Sequence, residues 1–123
     1  MKTSHPDDTF HYNNGEAFCE KMRLSTIAEK VGTPAYVYSY QTLEQSCRNF
    51  QAAFSGYPTA IYFAVKSNNN LTLLKKITGF GLGADVVSVG ELEKCLKAGL
   101  SPSRIIFSGV GKRQDELSRA IEV

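Results

Sequence analysis

Residues 59–70 read TAIYFAVKSNNN, and this stretch decides the fold class of the chain. Apolar and aromatic residues fill positions 60–65 without the alternation of a half-exposed strand, and a lysine and small polar residues follow. Continuous apolar runs of this length are typical of strands in a parallel sheet that is covered on both faces. The stretch therefore predicts a buried parallel strand with Lys66 at its carboxyl end.

The same pattern recurs on both sides of this stretch. The segments AYVYS (35–39), LGADVV (82–87) and RIIFSG (104–109) are further strand candidates. A segment with apolar residues at helical spacing follows each of the four, the last being RQDELSRAIEV. Four β-then-α units in a row predict the α/β class. Right-handed crossovers then allow either an open doubly wound sheet or a closed barrel.

The first 33 residues follow a different pattern and form a separate predicted region from residues 34–123. Residues 10–19, FHYNNGEAFC, predict a β-hairpin because Asn14-Gly15 favours a type I′ turn. His11 is interpreted as an ordinary strand position, since no second metal-ligand type stands at a suitable spacing. Residues 24–34 predict a short helix in which Thr26 and Glu29 form a capping box.

Composition excludes several classes of function. The 123 residues are 42% hydrophobic and 21% charged, as in a globular domain, and the net charge of +2 comes from scattered basic residues. That distribution argues against a nucleic-acid partner. No apolar segment is long enough to cross or enter a membrane, so the sequence predicts a cytoplasmic protein. The three cysteines indicate neither a disulfide framework nor a metal site, and Cys47 and Cys95 are predicted to be buried.

Glycine-rich phosphate motifs are weak in this sequence. No strand candidate is followed by G-x-G-x-x-G, and GFGLGAD precedes its strand. A Walker A sequence is also missing. The pattern therefore argues against a dinucleotide-binding sheet.

Lys66 is the main candidate for chemistry. It follows a predicted parallel strand, at the edge where barrels and open sheets place their active sites. Burial against the core would lower the pKa of the amine and make it a nucleophile toward an aldehyde, as a Schiff-base lysine requires. Alternatively, Lys66 extends from the strand end into water.

Asp85 occupies the corresponding place on the next predicted strand. Neighbouring parallel strands would bring its carboxylate near the Lys66 amine, where it could balance a cationic imine. Alternatively, Asp85 is an acid of a loop or a helix entry. Ser88 and Glu91 have S-x-x-E spacing, which predicts a capping box for the following helix.

Four segments together carry a family resemblance: GTPAYVYS, YFAVKSNNNLTLL, GLGADVVSVGEL and AGLSPSRIIFSGVGK. In matching order, from about residue 10 to the chain end, the sequence resembles the amino-terminal part of diaminopimelate decarboxylases. These belong to the alanine-racemase-like, fold-type III group of pyridoxal-phosphate enzymes. The resemblance implies that Lys66 forms the Schiff base with pyridoxal 5′-phosphate, that Ala64 packs beside the cofactor, and that Asp85 lies against the linkage.

The resemblance also implies a fold and an activity. Residues 34–123 would form about four βα units of a partial (β/α)8 TIM-type barrel, and residues 1–33 would belong to a separate β domain. The substrate, meso-diaminopimelate, would replace Lys66 on the cofactor and lose carbon dioxide to give L-lysine, the carbanion being held by the cofactor ring. A cytoplasmic homodimer is implied for the full-length enzyme.

Parts of the family pattern have no counterpart in these residues. They are the glycine-rich phosphate loop, the acid for the pyridine nitrogen, the E-P-G-R segment and the carboxyl-terminal cysteine and tyrosine. A complete barrel needs roughly 250 residues, so a truncated chain that is inactive alone is expected. The alternatives are an ornithine, arginine or carboxynorspermidine decarboxylase, a non-catalytic pyridoxal-phosphate-binding barrel, and an unrelated α/β domain with an incidental lysine.

Overall fold

A computed structural model describes residues 9–123 of the chain. The chain divides into two compact units, the first ending at Asn49 and the second running from Phe50 to Val123. The domain division expected from the sequence, 1–33 and 34–123, stays a prediction. No helix of residues 9–123 has the length and hydrophobicity that crossing a lipid bilayer requires.

The first unit begins with a three-stranded antiparallel sheet in the order β1-β2-β3. Its strands are β1 (Phe10–Asn13), β2 (Glu16–Cys19) and β3 (Met22–Arg23). Asn14 and Gly15 have φ angles of 50° and 82°, as both central residues of a type I′ turn require, so the predicted hairpin is confirmed. His11 stacks on Phe18 across the two strands. Strand β3 was not predicted, because two residues are too few to leave a pattern.

Helix α1 (Leu24–Val31) follows β3 directly. Its N-cap is Arg23, whose side chain makes no capping bond, so the predicted capping box at Thr26 and Glu29 is wrong. Thr26 lies inside the first turn because the chain passes from β3 into the helix without a loop. Gly32 ends the helix at φ 80°, and its N–H donates to the Ala28 carbonyl at 2.8 Å.

The predicted strand at residues 35–39 is not formed. Its backbone is irregular, Tyr36 is 92% exposed, and no described strand pairs with it. An apolar segment becomes a strand only when a neighbour completes its hydrogen-bonded ladder, and the described residues provide none here. The helix expected to follow is present as α2 (Tyr40–Ala53). Three of the four predicted β-then-α units are therefore complete.

Glu20 fastens the hairpin sheet to the start of α2. Its Oε1 accepts hydrogen bonds from the Ser39 hydroxyl at 2.7 Å and from the Gln41 N–H at 2.8 Å. The Ser39 hydroxyl in turn accepts from the Thr42 N–H at 3.0 Å. The Gln41 N–H and the Ser39 hydroxyl lower the pKa of Glu20 below its usual range, because both bonds favour the charged carboxylate.

We expect the start of α2 to loosen on acidification. A lowered pKa stabilises the folded state above the ordinary glutamate value of about 4.3, and this contribution is lost as the pH falls through the lower folded value. Glu20→Ala should cost about 1 kcal/mol at pH 7 and speed hydrogen exchange at Gln41. Glu44→Gln, which removes a carboxylate that pairs with Arg48 on the same helix, is the control. Unchanged exchange in Glu20→Ala would contradict this role.

The second unit is a parallel sheet of three strands in the order β4-β5-β6. The strands are β4 (Tyr62–Ala64), β5 (Gly83–Val86) and β6 (Ile105–Phe107), and the helices are α3 (Leu71–Gly79), α4 (Val89–Lys97) and α5 (Gln114–Glu122). Short 3₁₀ turns, Val65–Ser67 and Pro102–Arg104, follow β4 and precede β6. Asn70 and Ser88 accept the capping bonds of α3 and α4, and the Glu91 carboxylate reaches the Val87 N–H at 2.9 Å.

Within the described second unit, α3, α4 and α5 all pack on the same face of this sheet. The core on this face contains Val65 from the turn after β4 and Ala84 and Val86 from β5. Helix residues pack against them, among them Leu74, Leu92, Cys95 and Ala120. Burial of Cys47 and Cys95 is confirmed. The opposite face of the sheet is called the open face below. The strand register places Tyr62, Ala64, Gly83, Asp85 and Ile106 on it. Ile106 on this face is 46% exposed.

Candidate active site

Lys66 lies in the short turn that follows β4, at the carboxyl edge of the parallel sheet. Val65, the residue before it, is fully buried in the core, whereas Lys66 is exposed. The turn is closed by two hydrogen bonds, from the Ser67 hydroxyl to the Ala64 carbonyl at 2.7 Å and from the Asn68 N–H to the Val65 carbonyl at 3.0 Å. The backbone of Lys66 is therefore fixed between a buried anchor and a closed turn.

The three asparagines after the turn fix the entry into α3. Asn68 Oδ1 accepts from the Asn70 N–H at 3.0 Å, and Asn70 Oδ1 accepts from the N–H groups of Thr72 and Leu73 at 3.0 and 3.2 Å. Asn69 Oδ1 accepts from Lys94 Nζ of α4 at 2.8 Å. Small polar residues are needed here because each side chain bonds to a backbone group or to α4.

The expectation that Lys66 is pressed against the core is wrong for the described chain. The buried position at this strand end belongs to Val65, and the lysine projects beyond it into water. The alternative, a lysine that extends from the strand end, describes the observed geometry.

Asp85 lies on β5 directly opposite Ala64, the last residue of β4, and Lys66 lies two residues after Ala64 in the turn that follows. Adjacent strands are about 4.8 Å apart, so the register places Asp85 beside Ala64 and near the turn that carries Lys66. The expected pairing of the Asp85 carboxylate with the Lys66 amine stays a prediction. The alternative of a loop or helix-entry acid is wrong, since Asp85 lies inside the strand.

The carboxylate of Asp85 is incompletely satisfied. Its Oδ1 is inaccessible to solvent and has no hydrogen-bond partner among the described residues. A buried acceptor without a donor costs about 1–3 kcal/mol, so native structures seldom retain one without a reason. The orphaned oxygen indicates that a donor or a cationic group belongs beside Asp85.

Two residues of the open face were missed by the sequence analysis. The ring of Tyr62 lies over Gly83, where an added Cβ would collide with Tyr62 Cδ1 and come within 2.7 Å of the Arg104 carbonyl oxygen. A glycine inside a predicted strand is a signal of close approach by a neighbouring group, and LGADVV contained it. The signal does not reveal which neighbour approaches.

Comparison with known proteins places this site in a family. The sequence profile described as "Pyridoxal-dependent decarboxylase, pyridoxal binding domain" matches residues 40–123, which include the whole parallel sheet and its helices. The chain belongs to the pyridoxal-dependent decarboxylase family. Within this family domain, Lys66, Ala64 and Asp85 occupy the carboxyl half of two neighbouring strands or the turn after them.

Individual relatives agree with the family match. The chain is 48% identical over 116 residues to the diaminopimelate decarboxylase of Pseudomonas aeruginosa, covering 94% of this chain and 28% of that protein. A crystal structure of diaminopimelate decarboxylase from M. jannaschii in complex with L-lysine matches 95% of this chain and 28% of its own, with a TM-score of 0.87 and 31% identity. A crystal structure of diaminopimelate decarboxylase from Helicobacter pylori in complex with L-lysine matches 80% of this chain and 25% of its own, with a TM-score of 0.76 and 38% identity.

This decarboxylase-family chain is much shorter than its relatives. It spans about 28% of the length of three curated diaminopimelate decarboxylases to which it is similar. The activity of a full-length protein that contains this chain is therefore proposed in the next section.

Proposed function

We propose that this chain is the amino-terminal part of a pyridoxal-5′-phosphate-dependent diaminopimelate decarboxylase, called the complete enzyme below. The reaction is the conversion of meso-diaminopimelate to L-lysine and carbon dioxide. The observation that carries the proposal is the juxtaposition of Lys66 at a sheet edge with the unpartnered Asp85 oxygen on the next strand. The identity to the Pseudomonas aeruginosa diaminopimelate decarboxylase supports this substrate.

The winding of the sheet supports a barrel as the complete fold. Strands β4, β5 and β6 are neighbours in chain order, and their helices lie on one face. A doubly wound sheet reverses its strand order and places helices on both faces, whereas a barrel continues in one direction. In the complete enzyme the open face would line the barrel interior, and the hairpin sheet would join a separate β domain.

The residues present fit part of a pyridoxal-phosphate site. Lys66 supplies a primary amine that can bind an aldehyde carbon, and the Asp85 oxygen supplies an acceptor for a positively charged nitrogen at that carbon. Ala64, opposite Asp85, has a small side chain that leaves space on the open face. When bound, the cofactor supplies an electron sink for the bond between the substrate's α-carbon and its carboxylate.

The protein's contribution is orientation and charge. The closed turn fixes the backbone of Lys66, whose amine would hold the cofactor through its aldehyde carbon until the substrate amine takes its place. The Asp85 carboxylate would stabilise positive charge on the nitrogen bound to that carbon, which favours loss of carbon dioxide from the substrate. Burial of this region by the rest of the barrel would strengthen the interaction between the two groups.

The proposal is tested by measuring carbon dioxide release from the complete enzyme loaded with pyridoxal phosphate. meso-Diaminopimelate, ornithine, arginine and carboxynorspermidine are compared at matched concentrations. Preference for meso-diaminopimelate, with L-lysine as the product, is expected. Preference for another of these substrates would replace the proposed one, and cofactor binding without any decarboxylation would support a non-catalytic barrel. A homodimer and a cytoplasmic location stay predictions.

We expect Asp85→Ala to lower kcat of the complete enzyme by at least about 10-fold, since it removes a charge that faces the reacting nitrogen. The melting temperature should stay level or rise, because the substitution also removes a buried acceptor without a partner. The exposed Asp115, which pairs with Arg113 on α5, gives the matched control Asp115→Ala. Unchanged turnover together with lower thermal stability would show that Asp85 is structural.

A further inference from the structure

The open face carries an aromatic ring two residues from the proposed site, on the side toward the amino ends of the strands. Tyr62 and Gly83 are paired residues, and Ala64 and Asp85 form the pair two residues nearer the carboxyl edge on the same face. The ring of Tyr62 crosses from β4 onto β5 and occupies the space that a side chain at position 83 would need. The absence of a side chain at Gly83 is what admits it.

The position of the ring distinguishes it from core packing. Tyr62 is 37% exposed and faces away from the core formed by Val65, Ala84 and Val86. Its ring lies over the backbone of β5 on the amino side of Asp85, whose Oδ1 is inaccessible to solvent. Lys66 follows Ala64 at the carboxyl edge of the sheet, so it lies on the other side of Asp85 from the Tyr62 ring.

We infer that Tyr62 is a positioning residue that forms the floor of the cofactor site and holds Asp85 facing Lys66. The ring acts by excluding water from the inner side of the carboxylate and by limiting its rotation. Water there would compete for Oδ1 and weaken its interaction with the cationic nitrogen. The role belongs to the ring and not to the hydroxyl, because the ring carbons make the contact over Gly83. This inference rests on the proposed function.

The test uses variants at Tyr62 in the complete enzyme with cofactor bound. Substitution of Gly83 is less informative, since a Cβ there would also meet the Arg104 carbonyl and move β6. Tyr62→Phe keeps the ring, whereas Tyr62→Leu and Tyr62→Ala remove it. Tyr57→Ala is the matched control, since Tyr57 is 73% exposed and lies outside the sheet. kcat, KM and the pH dependence of the bound cofactor's absorbance are measured for each.

We expect Tyr62→Phe and Tyr57→Ala to match the wild type within about 2-fold. Tyr62→Leu and Tyr62→Ala should lose at least about 10-fold in kcat, with a smaller change in KM, because small misplacements of reacting groups are costly. The pH at which the cofactor absorbance changes should fall in both, since a hydrated Asp85 stabilises the cation less. Wild-type kinetics and absorbance in Tyr62→Leu and Tyr62→Ala would overturn the inference.

The remaining outcomes are also decisive. If Tyr62→Leu and Tyr62→Ala both fail to fold, Tyr62 is a structural residue and the inference is overturned. Equal losses in Tyr62→Phe would show that the hydroxyl acts and would overturn the role of the ring. Failure of the proposed function is recognised separately, because the wild-type enzyme itself would then show neither decarboxylation nor bound cofactor.

Discussion

Lys66→Ala should abolish decarboxylation by the complete enzyme, with a loss of at least about 10³-fold in kcat, a size typical of removing a nucleophile. The reason is that no other described amine stands at the carboxyl end of β4 beside Asp85. Folding should be nearly unaffected, since Lys66 is exposed and the core contact at this turn is made by Val65. Carbon dioxide release and thermal melting are measured on the same preparation.

Two variants separate charge from nucleophilicity. Lys66→Arg keeps the positive charge but remains protonated, so it should be as inactive as Lys66→Ala. Lys75→Ala removes an exposed lysine of α3 and should retain wild-type activity. Substantial turnover in Lys66→Arg would contradict a covalent role and would leave only an electrostatic one.

The 123 residues expressed alone should associate into oligomers and release no carbon dioxide from meso-diaminopimelate. Strands β4 and β6 each have a neighbour on one side only among the described strands, and the open face exposes Tyr62 and Ile106. Unpaired parallel edges next to an apolar face promote association between chains. Residues 35–39, which were predicted to form the strand before β4, form no strand, so β4 is an edge of the described sheet.

Light scattering during size-exclusion chromatography measures this association. Ile106→Lys places a charge on the open face and should shift the chain toward monomer. Ile121→Lys introduces the same charge at an exposed position of α5 and should change association less. A monodisperse wild-type monomer that releases carbon dioxide at an enzyme-like rate would show that the open face needs no further covering and that these residues form a complete site.

Much of the second unit could be predicted because its signals are local. The apolar run before Lys66 and the capping spacing at Ser88 each depend on a few consecutive residues, and both the strand and the helix form where expected. The pairing of β4 with β5 followed from the rule that consecutive βα units place neighbouring strands side by side. The hairpin at Asn14-Gly15 was predictable for a similar local reason.

Two of the incorrect predictions and one missed contact depend on partners distant in sequence. Residues 35–39 have strand composition but no ladder neighbour among the described strands, and composition cannot report that. The burial of Lys66 was overestimated because a strand end can be covered on one face and open on the other. The ring of Tyr62 over Gly83 needs the register between two strands, and spacing along one strand does not contain it.

The central claim is that Lys66 binds the cofactor, and borohydride reduction of the complete enzyme tests it most directly. Reduction in the presence of pyridoxal phosphate should fix a pyridoxyl group to one lysine, which peptide mapping by mass spectrometry then identifies. The account predicts the label on Lys66, with none in Lys66→Ala. A label on Lys75, Lys76 or Lys112 of the wild-type enzyme would contradict it.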